Sequence, residues 1–381
     1  MPPRSKLLEL LRASPAFQAS QMGYVDRGVA DIEPFPFPAI VGHYEMKLAL
    51  TLAVINPAVG GVLLLGPRGT AKTTAVRSLT DLLPSVSRSL CPEGCTEELL
   101  EEGGMDAICK DCAEKVGYGE PLTTAERVRI VNLPLNARLE DVVGGIDERL
   151  ALEKQRVRLE RGVLAQADGH ILYIDEVNML EDVIVNAILE AAAQGFYTVR
   201  RGPQKLSYRS QFVLAGTMNP EEGSLRPQLL DRFGLRAVAR GLMDPELRYR
   251  AYEHARWYRR DPEGLAAAFA EQTLALAEEI ESARLLLDAV TVEEQAKELG
   301  LRLITKMGIE SIRAEITLFE AGRAYAAAGG REVVTSDDVS AVAPIALRFR
   351  RSRRLDTFFE QQEEDDAQLN ALLAEEARAA A

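Results

Sequence analysis

No run of about 18 apolar residues occurs in this sequence, so hydropathy offers no membrane-spanning helix. The opening residues, MPPRSKLLELLRAS, have neither the apolar core nor the small-residue cleavage site of a secretory signal, and a cytoplasmic protein is the expectation. Positive charge is in deficit. Against 58 Asp and Glu stand 45 Lys and Arg, a formal net charge of −13, so the surface as a whole should repel nucleic acid and anionic membrane. Cysteine is scarce: all four lie between Cys91 and Cys112, which suits a metal site in a reduced compartment better than a disulfide framework. What remains is an ordinary globular composition, 47 % apolar and 27 % charged, in 381 residues that can hold one large core and a smaller second domain.

The strongest local signal is Val62 to Thr74, VLLLGPRGTAKTT. An apolar run ends at Gly66, turns through Pro67, Arg68, Gly69, Thr70 and Ala71, and gives way to Lys72, Thr73, Thr74 and a helix-compatible AVRSLTDLL. Strand, loop and helix in that order make a phosphate-binding loop: consecutive backbone N–H groups form an anion nest at the positive end of a helix. Lys72 is the expected ligand of the β- and γ-phosphates, and Thr73 of Mg²⁺. Ala71 stands where the pattern G-x-x-x-x-G-K-[ST] has its second glycine, which requires a backbone angle there that is not left-handed.

A second signal is His170 to Asn178, HILYIDEVN, a buried-looking strand with Asp175 and Glu176 at its C-terminal end, where open α/β sheets bind ligands. Asp175 is expected to position Mg²⁺ and Glu176 to polarise the attacking water. The strand FVLAGTMNP ends in Thr217 and Asn219, a candidate for orienting that water, and the helix LRPQLLDRFG offers Arg226 and Arg232. An arginine at a subunit boundary can stabilise a transferring phosphoryl group.

Around these lie less regular stretches. Pro34, Pro36 and Pro38 force an extended approach to a helix beginning near His43. CPEGC and CKDC, Cys91 with Cys95 and Cys109 with Cys112, have the spacing of two zinc knuckles; with no histidine between them the site would be closed, all-thiolate and structural, and the alternative is four reduced cysteines in a surface insertion. Phe196–Arg200 and Gln204–Tyr208 flank Arg201-Gly202-Pro203 as a β-hairpin, and Leu159 to Gly162 suggests a smaller one. From Asp244 the chain turns helical and no clear strands follow. Thr291-x-x-Glu294 has the form of a capping box, and Arg313 falls in the first turn of a helix from Ser311 to Ala328, where a cation opposes the helix dipole unless it faces an anion. Arg348, Arg350, Arg351, Arg353 and Arg354 form the one dense basic cluster, read as locally neutralised or solvated because acidic residues follow.

Taken together, FPFPAIVGHYEMKLAL, LEDVVGGID, ILYIDEVN, GTMNPEEGSLRPQLLDRFGL and SIRAEITLFEAGRA resemble AAA+ ATPases, and within them the I subunit of magnesium chelatase, over roughly residues 34 to 345. The resemblance implies a P-loop AAA+ α/β three-layer sandwich with a parallel sheet and a C-terminal α-helical lid. It divides the chain into an extension (1–33), the nucleotide domain (34–243, with insertions 91–121 and 196–208), the lid (244–350) and a charged tail (351–381). It implies ATP and Mg²⁺ as cofactors, Gly66 to Thr74 as Walker A, Asp175 and Glu176 as Walker B, Asn219 as sensor 1, Arg232 as the trans-acting finger, and Arg313 as sensor 2. It also implies a hexameric ring, a D-type partner with a von Willebrand-type domain, and a large porphyrin-binding subunit that carries the Mg insertion of (bacterio)chlorophyll biosynthesis. The loop GPRGTAKTT is closer to MoxR-type AAA+ proteins than to GDRGTGKST, so a remodelling ATPase serving another metalloprotein is the alternative; a nucleic-acid motor using the arginine cluster and the hairpin is a third reading.

Overall fold

The computed structural model describes residues 7, 9, 11, 33–91, 94–145, 161–201, 204–223 and 225–350. Most of the N-terminal extension, the suggested hairpin at Leu159, the turn at Gly202-Pro203 and the tail with Arg351, Arg353 and Arg354 lie outside these residues. Leu7 and Leu11, one helical turn apart, are buried in the main core.

Five parallel strands form the central sheet: β1 (Val62–Leu65), β4 (Ile130–Leu133), β5 (Ile171–Ile174), β8 (Val213–Met218) and β9 (Leu235–Val238), in the order β4-β5-β8-β1-β9. Successive side chains of a strand point to opposite faces. Val62 and Leu64 accordingly join the core that includes the helix Tyr44–Ile55 and the lid, while Leu63 and Leu65 join the core beneath the helix Asp182–Gln194. Apolar layers on both faces explain the unbroken apolar run of β1 and the almost wholly apolar β5 and β8.

Two antiparallel pairs decorate this sheet. Strands β2 (Val86–Ser89) and β3 (Thr123–Glu126) pair and close the base of the cysteine-containing insertion; β6 (Phe196–Arg201) and β7 (Gln204–Arg209) form the hairpin. The lid is built from the helices Pro245–Arg260, Pro262–Ala268, Ala270–Leu286, Glu294–Lys306, Arg313–Ala328 and Ser336–Leu347.

Three local expectations are corrected. The lid does contain strands, β10 (Thr291–Val292) and β11 (Val333–Val334), which pair in parallel. Thr291 is therefore extended and caps nothing; Glu293 is the N-cap of the following helix, and the capping box lies at Thr335 with Asp338. Strand β9 had no sequence signature, because Arg236 interrupts its apolar run. The Arg236 side chain is fully buried and donates to the carbonyls of Arg348 (2.7 Å), Leu230 (2.6 Å) and Phe233 (3.1 Å).

The basic cluster is likewise not a solvated tail where it is described. Arg348 pairs with Glu45. Arg350 donates to Asp231 Oδ1 (2.8 Å), Thr317 Oγ1 (3.0 Å) and the Gly234 carbonyl (3.1 Å), tying the end of the lid to the approach to β9.

Candidate nucleotide site

Gly66 directly follows β1 with φ +155°, and a Cβ there would overlap the Ala239 carbonyl oxygen; only glycine lets the loop turn beside the end of β9. Gly69 has φ +78° and open space around it. Ala71 has φ 59° and ψ 18°, the left-handed conformation, contrary to the expectation that an alanine there requires an ordinary backbone angle. The loop keeps the left-handed turn that feeds the helix Lys72–Arg77, at a conformational cost of about 1–3 kcal/mol that the surrounding contacts offset.

Pro67 and Arg68 are exposed, whereas Lys72 turns back over the loop. Lys72 Nζ donates to the carbonyls of Gly66 (2.8 Å) and Pro67 (2.7 Å), groups that a phosphate oxygen would replace as its partner. Burial lowers the Lys72 pKa, opposed by the nearby Asp175, Glu176 and Glu222 carboxylates. Thr73 Oγ1 lies 2.9 Å from Tyr173 OH, which donates to Asp175 Oδ1 at 2.9 Å; the Thr73 hydroxyl therefore donates to Tyr173. Thr217 Oγ1 donates to the same carboxylate oxygen at 2.5 Å and accepts the Glu176 N–H at 3.0 Å. Burial pushes the Tyr173 hydroxyl up to about 12, so it remains a donor at neutral pH. Tyr173 was not picked out as a site residue from the sequence, because its hydroxyl is carried on what reads as a buried strand residue.

Glu176 occupies the left-handed region (φ 51°, ψ 57°), and its carboxylate accepts from Arg68 Nη2 at 3.1 Å. The same guanidinium reaches Glu222 at 2.7 Å. Arg68, taken from the sequence as a phosphate-loop residue, here holds the carboxylate expected to polarise water. Asn219 is buried, and its Oδ1 accepts the Glu221 N–H at 3.2 Å.

Lys72, Thr73, Thr74, Asp175, Glu176, Thr217 and Asn219 line one cavity of about 330 Å³ together with Arg68 to Ala71. Gly69 to Ala71 and Thr74 also border a larger cavity of about 1650 Å³ that extends past Val41 and His43 towards Tyr258. Burial, and then the charge of Lys47, lower the His43 pKa, favouring a neutral ring beside that space.

Arg232 and Arg313 are not part of this constellation. Leu235 of β9 is in register with Val62, so Arg232, which precedes β9, lies at the amino end of β1 while the phosphate loop follows its carboxyl end, roughly 13 Å of strand away. Arg313 lies with it, its Nη1 3.6 Å from Asp231 Oδ2. Arg226 pairs with Asp182 at 2.6 Å.

The residues present fit a magnesium nucleotide: a loop with glycine at 66 and 69, a lysine held by two loop carbonyls and the Thr70 hydroxyl, and a hydroxyl and a carboxylate joined through one tyrosine. Away from this site, the sulfurs of Cys91, Cys95, Cys109 and Cys112 lie within 4.8 Å of one another, and no disulfide joins them.

Comparison with known proteins agrees with this geometry. The model of the AAA domain (dynein-related subfamily) matches residues 120–233, and that of the AAA lid domain matches residues 300–372. A Methanocaldococcus jannaschii magnesium-chelatase subunit ChlI homolog is 42 % identical over 320 residues, 84 % of this chain and 86 % of the relative. The magnesium-chelatase 38 kDa subunit of Acidiphilium rubrum is 40 % identical over 319 residues, 84 % of this chain and 91 % of the relative. A solved structure from Cytophaga hutchinsonii, 18 % identical, superposes with a TM-score of 0.52 over 82 % of this chain and 84 % of its own, and shows the fold alone. With the cradle, the carboxylate pair and the lid in one chain, and relatives aligned over most of their length, the protein belongs to the magnesium-chelatase I-subunit family of AAA ATPases.

Proposed function

We propose that this chain is the ATP-hydrolysing motor subunit of a magnesium chelatase-type complex. The observation that carries the reading is the single cavity lined by Lys72, Thr73, Asp175, Glu176 and Asn219, at the carboxyl end of a parallel sheet, in a chain of this family.

In this mechanism the loop N–H groups and Lys72 hold the β- and γ-phosphates, while Thr73 and Asp175 hold Mg²⁺, which neutralises charge on the phosphates when bound. Tyr173 and Thr217 fix the Asp175 carboxylate by hydrogen bonds. Glu176 polarises the attacking water once it leaves Arg68, and Asn219 orients it. The space past His43 takes the nucleoside. Arg232 and Arg313, held at the far edge of the sheet, serve the site of the neighbouring copy, so a closed ring, read as a hexamer, is the working form. The ring engages a D-type AAA+ partner with a von Willebrand-type domain, and the large porphyrin-binding subunit performs the metal insertion, in the cytoplasm. The four-thiol cluster is a structural metal site separate from this motor. The alternative of a nucleic-acid motor loses two of the arginines it depends on, because Arg348 and Arg350 pair internally.

The test mixes two inactive variants. Glu176→Gln should bind ATP and lose at least about 100-fold in turnover. Arg232→Ala should assemble and fail to hydrolyse. Mixing them should restore turnover, since some sites then combine an intact Glu176 with an intact Arg232 from the next copy. Absence of rescue, with mixed rings demonstrated by cross-linking, refutes action in trans. ATP-dependent Mg²⁺ insertion into protoporphyrin, reconstituted with D-type and porphyrin-binding subunits, tests the chelatase assignment itself.

A further inference from the structure

We infer that Cys91, Cys95, Cys109 and Cys112 bind one zinc ion as a closed tetrathiolate site, and that this ion is what folds the insertion between β2 and β3. This identifies the ion and the task of the structural metal site, and it stands whether or not the chain drives a chelatase.

The geometry leads to a single ion. Zn–S bonds of about 2.3 Å in a tetrahedron put sulfurs about 3.8 Å apart. All four sulfurs already lie within 4.8 Å of one another, with Cys91 and Cys109 at 3.5 Å. A cluster of several irons with bridging sulfides would hold the cysteines well further apart. A disulfide needs sulfurs about 2.05 Å apart, far closer than the 3.5 Å seen for that pair.

The surroundings are arranged for thiolates. Cys91 and Cys95 flank a turn in which the Gly94 N–H donates to the Cys91 carbonyl at 3.0 Å. Ser89 Oγ accepts the Cys91 N–H (3.1 Å) and donates to the Cys95 carbonyl (2.6 Å), fixing both ends of that turn. The other pair comes from the helix Lys110–Gly117, with Cys109 as N-cap and Cys112 in its first turn, so the positive helix end faces the sulfurs. The Cys109 N–H donates across the pairs to Cys95 Sγ at 3.2 Å.

The insertion also has little else to hold it. Its own buried cluster consists of Cys91, Cys95, Cys112, Ile108 and Leu122, and three of these five are ligands. Segments shorter than about 40 residues usually need a disulfide, a metal or oligomerisation to hold a fold. The other ties are few: at its base the Glu97 carboxylate accepts from the Leu122 N–H (2.7 Å) and from Thr123 Oγ1 (2.6 Å), and an exposed ion pair joins Glu98 to Arg209 of β7 (2.8 Å), which contributes little stability. None of the four cysteines lines either cavity of the nucleotide site.

The experiment uses the full chain purified without chelator or metal-affinity tag. Elemental analysis should find about one zinc per chain, released by a mercurial thiol reagent, and replacement by Co²⁺ should give the visible spectrum of a tetrahedral thiolate site. The Cys109→Ser/Cys112→Ser double variant should lose the metal and become cleavable by protease between residues 91 and 122, with binding of a fluorescent ADP analogue retained. Iron with acid-labile sulfide, disulfides found by mass spectrometry, or a metal-free chain whose insertion resists protease would each overturn the assignment. If the double variant fails to fold, the metal content and cobalt spectrum of the unaltered protein decide.

Discussion

Replacing Asp231 tests how the lid is fastened to the nucleotide domain. Its carboxylate accepts from Arg350 at 2.8 Å and from Ser311 at 2.7 Å, and lies 3.6 Å from Arg313 and 4.0 Å from Arg236. The side chains of Arg236 and Arg350 are fully buried, so Asp231→Ala leaves two buried guanidinium groups without a carboxylate. Removing one partner of a buried pair costs about 3–5 kcal/mol. Asp231 is itself 20 % exposed, and carbonyl oxygens still hold both guanidiniums, so the lower end, about 3 kcal/mol, is expected. Trp257 is the sole tryptophan and sits in the lid helix Pro245–Arg260, so its fluorescence during urea titration reports the unfolding of this part of the chain. With a slope of about 3 kcal/mol per molar, the midpoint should fall by about 1 M. Arg350→Met should also destabilise, but the double variant should lose about 1–2 kcal/mol less than the sum of the two, because each single change strands the same charge pair. A midpoint shift under about 0.3 M, or additivity within about 0.5 kcal/mol, refutes the network as the fastening.

Three further changes probe single positions. Gly66→Ala should abolish ATP binding and lower the melting temperature, since its Cβ overlaps the Ala239 carbonyl; retained binding in a fluorescent-nucleotide titration counts against the cradle. Ala71→Gly should be neutral to stabilising by up to about 1 kcal/mol, because relief of the left-handed alanine outweighs the added freedom of the unfolded chain; clear destabilisation in urea melts refutes the strain. Lys47 is buried, and desolvation lowers its pKa to about 8 from 10.5. Between those values the unfolded chain holds a proton that the folded chain lacks, so stability attributable to Lys47 rises with pH, by about 2 kcal/mol from pH 8 to 9.5 at about 1.4 kcal/mol per pH unit. Lys47→Met should be more stable at pH 7 and lose this rise; identical pH profiles of the two proteins in urea melts contradict the assignment.

Legibility in the sequence followed the kind of interaction involved. The strands β1, β5 and β8 were visible because both sheet faces are covered and their residues are almost all apolar. Strand β9 was not, because Arg236 satisfies its charge with the carbonyls of Leu230 and Phe233 just before the strand and of the distant Arg348, and pairing of that sort leaves no periodic trace. The same holds for the arginine cluster: its composition suggested solvent, and only the fold brings Arg348 to Glu45 and Arg350 to Asp231. Lys72, Thr73, Asp175, Glu176 and Asn219 could be named from the ends of strands, where ligands bind in parallel sheets, but the tyrosine linking two of them lies two residues before Asp175 and reads as core.

What the sequence could least reveal is where the backbone is strained. Among the described residues, the non-glycine residues with positive φ are His43, Ala71, Glu176 and Phe349, and the first three border the two cavities. Such conformations cost about 1–3 kcal/mol each and persist where the surroundings over-determine them. At Glu176 the strain has a visible effect: the residue turns away from the β5 direction, its N–H reaches Thr217, and its carboxylate reaches Arg68 rather than the Asp175 cluster. The structure thus separates two adjacent carboxylates, one locked by Tyr173 and Thr217, the other held by an exposed arginine of the phosphate loop. An exposed ion pair contributes little stability, so in the proposed mechanism Arg68 would exchange Glu176 for phosphate oxygens at small cost, coupling phosphate binding at the loop to release of the carboxylate proposed as base.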